Sequence, residues 1–220
     1  MEVPPSAMTL LAIDTSTQRG SVSLLETPPD PTRASAESTL LFEEHFLADR
    51  SHSASLFAAL EKARTHARQI DRVAVGLGPG SYAGVRIAIG AALGFELGLG
   101  SDLLGLPSVA ALETESAEYL AIGDARRDTF YFTRVRDGVC VEGPLLASET
   151  ELTQQLEALP DLPVFACELL PAFPRATLAL PCARRLARLA ARDAGIVQRG
   201  NLEPIYLRDA YITLPKNPPR

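Results

Sequence analysis

A chain of 220 residues, 46% hydrophobic and 22% charged, has apolar content for one large core or two small ones, and this composition excludes a disordered chain. Its net charge of −6 weighs against unaided binding to nucleic acid, where neutralisation of phosphate dominates affinity. Three cysteines, Cys140, Cys167 and Cys182, are odd in number and irregularly spaced. They form no full disulfide framework and show no metal-ligand spacing, which fits a reducing cytosol.

Residues 1–7 have neither the charged nor the apolar region of a signal peptide. The first strand falls over residues 10–13 and runs into Asp14-Thr15-Ser16-Thr17; Gly20 follows, then a second strand over 21–25. Residues 27–38, rich in proline and serine, read as a loop. A third strand lies within 39–48. Leu56, Phe57, Leu60 and Ala63 then recur at helical spacing in a helix from about residue 53 to 66. A short β-branched strand at 73–76 leads to a turn through Gly78-Pro79-Gly80. The next helix starts behind Ser81, whose hydroxyl is a good N-cap.

A glycine-rich turn at a helix N-terminus brings free amides and the positive end of the helix dipole to one spot, a ready anion cradle. It is not a P-loop, because no Gly-Lys-Ser/Thr follows and Lys62 and Lys216 are the only lysines. Pro79 and Ser81 also break a dinucleotide G-x-G-x-x-G reading. Within the helix, Gly90, Gly94 and Gly98 recur every four residues, each costing about 1 kcal/mol against alanine. That spacing predicts close approach of another helix or strand to bare backbone. Arg86 and Glu96 interrupt the apolar run, so the helix is expected to be a buried packing helix and not a membrane span. A short strand at 102–105 follows.

The second half repeats the opening. A strand over 119–122 runs into Gly123-Asp124-Ala125-Arg126-Arg127 and a strand over 129–136, the same order of strand, acidic turn and strand. Its spacing, at half the chain length, points to duplication, with one lobe at residues 1–105 and the other at 106–220. In the second lobe, Ser148 to Glu151 forms a capping box opening a helix to about residue 159. A strand at 162–166 comes next, then a helix at 181–194 closed by Gly195, and an extended segment at 203–213.

Asp14 is the sharpest candidate site residue: it either lies near a metal and phosphates or caps its own turn. Gly78, Gly80 and Ser81 carry the same two readings, anion cradle or turn and cap. His52 reads as the start of the first helix. Arg184, Arg188 and Arg192 line one helical face, solvated or set against an acidic partner or nucleic-acid phosphate. Arg126 and Arg127, in a turn, are read the same way.

Asp14-Thr15-Ser16-Thr17 with Gly20-Ser21-Val22, and Gly76-x-Gly78-Pro79-Gly80-Ser81 through Arg86, closely resemble the bacterial TsaB family. Arg50-Ser51-His52-Ser53, Ala125-Arg126-Arg127 and Pro204-Ile205-Tyr206-Leu207-Arg208-Asp209 follow the same pattern. Tyr82-Ala83 departs from it, standing where Phe-Thr is usual. The resemblance implies a duplicated ribonuclease-H-like α/β fold, in the superfamily of actin, heat-shock ATPases and sugar kinases. It implies a cytoplasmic, non-catalytic scaffold that binds and activates a TsaD homologue. That partner adds threonylcarbamoyl to N6 of the adenosine adjacent to the anticodon in tRNA, with the TsaE ATPase and tRNA engaged through the complex.

The same resemblance implies no required cofactor and no metal, with weak adenine-nucleotide binding assigned to Asp14, Thr15, Ser16, Gly78, Gly80 and Ser81. The TsaD family carries a metal-binding His-x-x-x-His after the next strand. Ser108 and Leu112 stand there in this chain, and neither replaces an imidazole. The two first-lobe helices are expected to form the association surface, with Leu56, Leu60, Ala83, Ile87 and Ala91 contributing, and to pair with a second copy when the chain is alone. A small ATP-dependent kinase or ATPase of the same superfamily is the alternative, with Asp14 and Asp124 as its acids.

Overall fold

The structure is a computed structural model that describes residues 7–28, 38–47 and 52–208. Most of the 27–38 loop, Arg50 and Ser51 of the histidine-bearing motif, and everything from Asp209 onward lie outside the described residues.

Strand β1 (Met8–Asp14) is apolar on both faces because both faces are covered. It pairs antiparallel with β2 (Arg19–Thr27) and parallel with β4 (Arg72–Gly76), in the middle of the first sheet. β3 (Thr39–Leu47) forms one edge, and β5 (Asp102–Leu106) continues beyond β4. The second sheet holds β6 (Glu118–Asp124), β7 (Thr129–Arg136), β8 (Val139–Ser148), β9 (Val164–Ala166) and β10 (Ala176–Leu178). Its order, β10-β9-β6-β7-β8, is the order β5-β4-β1-β2-β3 with five added to every label, and the parallel and antiparallel pairings match throughout. The duplication read from the two hairpins is a duplication of the whole five-strand sheet.

Helix α1 (His52–Arg64) joins β3 to β4, and α3 (Glu149–Ala158), opened by the expected Ser148/Glu151 capping box, joins β8 to β9. The repeat fails at the next position. The first lobe has the 18-residue α2 (Tyr82–Leu99) between β4 and β5, whereas β9 and β10 are joined by turns alone.

Side-chain alternation divides the core into layers. Leu11, Ile13, Val22, Val73 and Val75 face α1 and α2, while Leu10, Ala12 and Ala74 face the other way. On that second side lies α4 (Ala183–Ala191), which shares one buried apolar cluster with Tyr119, Ala121, Tyr131 and Val135 of the second sheet. Leu120, Ile122 and Phe132 then bury the far face of that sheet under α3. The layers run α1/α2, first sheet, α4, second sheet, α3.

Here the structure corrects an expectation. The helix expected at 181–194 as part of the second lobe packs on β1, β2 and β4 and lies between the two sheets. Its alanines, Ala183, Ala187 and Ala190, keep it thin enough to do so, while Leu186 and Leu189 fill the space on either side. After it, β11 (Gln198–Arg199) adds to the edge of the first sheet beside β5. The extended segment foreseen at 203–213 forms no strand over its described part.

Candidate functional site

Asp14, the last residue of β1, is fully buried. Its Oδ1 accepts from the Ser16 N–H at 2.9 Å and from the Ser16 hydroxyl at 2.7 Å. Oδ2 is buried without a hydrogen bond of good geometry, beside Ser108 Oγ. Burial pushes the Asp14 carboxyl above its ordinary value; the neighbouring Ser108 hydroxyl, the Ser16 donors and the Arg19 charge pull it back only in part.

The structure brings all six proposed nucleotide-site residues together, but as a closed joint. The Ser81 N–H donates to the Ser16 carbonyl at 2.6 Å, and the Thr15 hydroxyl donates to the Gly84 carbonyl at 2.8 Å. Gly78 N–H donates to Ser108 Oγ at 3.0 Å. Two amides that would hold an anion are therefore engaged within the protein. A Cβ on Gly80 would lie 2.2 Å from the Ser16 carbonyl oxygen, one on Gly84 2.0 Å from that of Thr15, and one on Gly76 1.9 Å from Asp14 Oδ2. These glycines serve close approach of the turn after β1 to the start of α2. Gly76, Gly84 and Ser108 were missed as members of this cluster. Gly76 and Gly84 lie beside the Gly-Pro-Gly turn in the sequence, whereas Ser108 was marked only as standing where a TsaD-type histidine would be.

The second lobe keeps the outline of the arrangement. Asp124 ends β6 as Asp14 ends β1, and its Oδ1 accepts from the N–H two residues on, that of Arg126, at 2.6 Å. Its side chain, unlike that of Asp14, is one-third exposed and ion-paired to Arg126. Ser108 and Leu112 are both buried, in and just after a 3-10 turn over Ser108–Ala111.

Among the described residues nothing makes the close approach expected at Gly90, Gly94 and Gly98. All three are exposed, and a Cβ on any of them would meet none of the described residues within 4 Å. The buried stripe of α2 is instead Gly84, Val85, Ala88, Ile89, Ala91 and Ala92. By length and composition alone α2 could cross a membrane, yet that stripe is committed to the first sheet, as in a core helix. Of the five residues proposed for an association surface, Leu56 is fully buried and offers none. Leu60 and Ala91 are buried at the floor of a groove between α1 and α2, walled by Phe57, Gly94, Phe95 and Leu99. Ala83 is exposed and Ile87 half-buried. Leu97 and Phe57, 88% and 50% exposed, add apolar surface to this face.

The segment after β11 links the lobes. Ile205 N–H donates to the Leu77 carbonyl, and the Tyr206 hydroxyl accepts from Arg86 at 2.8 and 3.1 Å while the Arg86 guanidinium lies over the Tyr82 ring. Arg208 then donates to Thr129 Oγ1 and to the Arg126 carbonyl in the second lobe. Three motifs distant in the sequence, at Arg86, Arg126 and Pro204 to Arg208, meet along this one strap. On α4, Arg184 pairs with Glu43 at 3.5 Å and Arg188 is exposed, as is Arg192, which caps the helix.

Duplicated five-strand sheets, a buried aspartate at the end of the first strand and a second acid at the matching position define a two-lobe ribonuclease-H-like protein. Comparisons with known proteins narrow this class. A family model described as TsaD, tRNA N6-adenosine threonylcarbamoyltransferase, matches residues 47–144. The protein named tRNA threonylcarbamoyladenosine biosynthesis protein TsaB from Haemophilus influenzae is 36% identical over 140 residues, 58% of this chain and 54% of that protein. A Mycobacterium leprae protein is 33% identical over 99 residues, 44% of this chain and 28% of its own length. The matches thus span about half or less of these two relatives. A crystal structure of a Pseudomonas aeruginosa protein described as similar to YeaZ superposes with TM-score 0.69 and 26% identity, covering 91% of this chain and all of the other. YeaZ from Pseudomonas aeruginosa superposes with TM-score 0.59 and 28% identity over 83% of this chain and 90% of the other. The chain is thus similar in sequence and in fold to proteins of the TsaB/YeaZ family.

Proposed function

We propose that this chain is the non-catalytic subunit of the machinery that forms threonylcarbamoyladenosine in tRNA, acting in the cytoplasm by binding and activating a TsaD homologue. The observation that carries the reading is the uncovered face of α2, where Gly90, Gly94 and Gly98 stand exposed beside the apolar groove against α1. Glycines that cost helix stability and meet nothing among the described residues are accounted for when the backbone of a second protein lies against them. The closed Asp14 joint and the buried Ser108 and Leu112, where a TsaD-type chain would hold its metal, support a subunit whose chemistry resides on its partner.

On this reading the TsaE ATPase and tRNA are engaged through the complex, nucleotide is not required by this chain, and the same face pairs two copies when the partner is absent. Co-purification with a tagged TsaD homologue is the test. Stable co-elution is expected; a chain that elutes alone at micromolar concentrations of both proteins would overturn the reading.

A further inference from the structure

Away from the joint and the α2 face, the described residues hold one mixed group of metal-ligating side chains. Glu43 and His45 lie two apart on edge strand β3, so their side chains leave the same face of the sheet. Cys182, the N-cap residue of α4, reaches them from 139 residues beyond Glu43. The three ligand atoms lie within 4.8 Å of one another.

The two separations made to the Glu43 carboxylate are those of a tetrahedral zinc centre. His45 Nε2 is 3.3 Å from Glu43 Oε1, and Cys182 Sγ is 3.5 Å from the same oxygen. Zinc takes nitrogen and oxygen at about 2.0 Å and sulfur at about 2.3 Å, so tetrahedral edges are about 3.3 Å for nitrogen to oxygen and about 3.5 Å for sulfur to oxygen. We propose that Glu43, His45 and Cys182 form a three-ligand zinc site whose fourth position is open to solvent.

The surroundings suit the role. The other carboxylate oxygen of Glu43 faces Arg184 at 3.5 Å, which fixes the carboxylate as a one-oxygen ligand, as outer-shell partners do elsewhere. Cys182 is buried and His45 exposed, so the site has a firm wall on one side and an entry path on the other. A carboxylate and a thiolate balance the charge of the dication, and a mixed sulfur, nitrogen and oxygen set favours zinc over calcium or magnesium. Without metal, the Cys182 thiol donates to Glu43 Oε1; zinc binding replaces that proton and releases it to solvent. The bound ion would clip edge strand β3 to the helix between the two sheets. The sequence holds no spacing signal for this site, because the ligands are residues 43, 45 and 182.

Cobalt(II) titrated into the full, reduced chain is the probe. Wild type is expected to develop a thiolate-to-cobalt charge-transfer band and the intense visible bands of a tetrahedral centre. Both should saturate at one equivalent and bleach on addition of zinc. The bands should be lost in Cys182→Ser and in His45→Ala, an exposed position whose replacement leaves the core intact, and kept in Cys140→Ser and Cys167→Ser. Zinc should raise the melting temperature of wild type and not that of His45→Ala. A wild-type chain with no charge-transfer band, or a band that survives in Cys182→Ser, overturns the proposal.

Discussion

The backbone N–H of Ser81 donates to the carbonyl of Ser16 at 2.6 Å, tying the N-terminus of α2 to the turn that follows β1. Around this bond the glycines of the α2 region fall into two kinds. Gly80 and Gly84 have carbonyl oxygens where a Cβ would stand; Gly90, Gly94 and Gly98 have open space.

Gly84→Ala and Gly90→Ala should therefore shift stability in opposite directions. The first drives a methyl into the Thr15 carbonyl, which cannot yield without moving the turn, and is expected to cost about 3 kcal/mol. The second adds a methyl in open space on an ordinary helical backbone, and should stabilise by about 1 kcal/mol. Urea midpoints at constant m-value measure both. Shifts of the same sign would refute the division of the helix into a tight joint and an uncovered face.

Asp14 gives a pH-dependent prediction. Its folded carboxyl is raised above 3.8 by burial, so the folded state holds the proton more tightly than the unfolded chain. Its contribution to stability is full below the unfolded value and is lost as pH rises through the folded one. Asp14→Asn should remove that decline, so stability curves of the two proteins diverge from about pH 4 upward with the variant the more stable. The amide keeps an oxygen for the Ser16 donors and adds an N–H beside Ser108, which preserves the joint. Parallel curves would mean that Asp14 is ionised in the folded protein, as a metal or phosphate site of the kinase type would need.

The elements themselves were legible because local chemistry specifies them. Ser81 caps α2, Ser148 and Glu151 cap α3, and apolar runs of four or more residues ended by acidic turns marked β1 and β6. The layer to which an element belongs was not legible. Ala183, Leu186, Ala187 and Ala190 announce a buried helix, but periodicity cannot say that both of its sides are covered by different sheets. Likewise the glycine spacing of α2 marks a backbone left bare, without saying whether the neighbour is in the same chain. Six candidate residues from two segments did converge on the Asp14 joint. That they would satisfy one another depended on Gly76, Gly84 and Ser108, whose roles exist only in three dimensions.

The uncovered face makes the last prediction. Gly94 lines the groove between α1 and α2 with Phe57, Phe95 and Leu99 around it, and Ala83 is exposed in the first turn of the same helix. If another helix pair lies against this face, excluded water contributes about 25 cal/mol per Å² of apolar area buried there. An arginine at either position would then be trapped as an unpaired charge, at a cost of about 3–5 kcal/mol to association. Within the isolated chain the same substitutions are harmless: Gly94→Arg replaces a poor helix former with a good one, worth about 1 kcal/mol, and Ala83→Arg projects into solvent. Gly94→Arg and Ala83→Arg should thus keep the wild-type circular dichroism and melting temperature, or exceed the latter. Light scattering should find them monomeric, and a tagged TsaD homologue should no longer retain them. Two folded variants that self-associate and bind that partner like wild type would move the association surface off α2, leaving its three exposed glycines without a function.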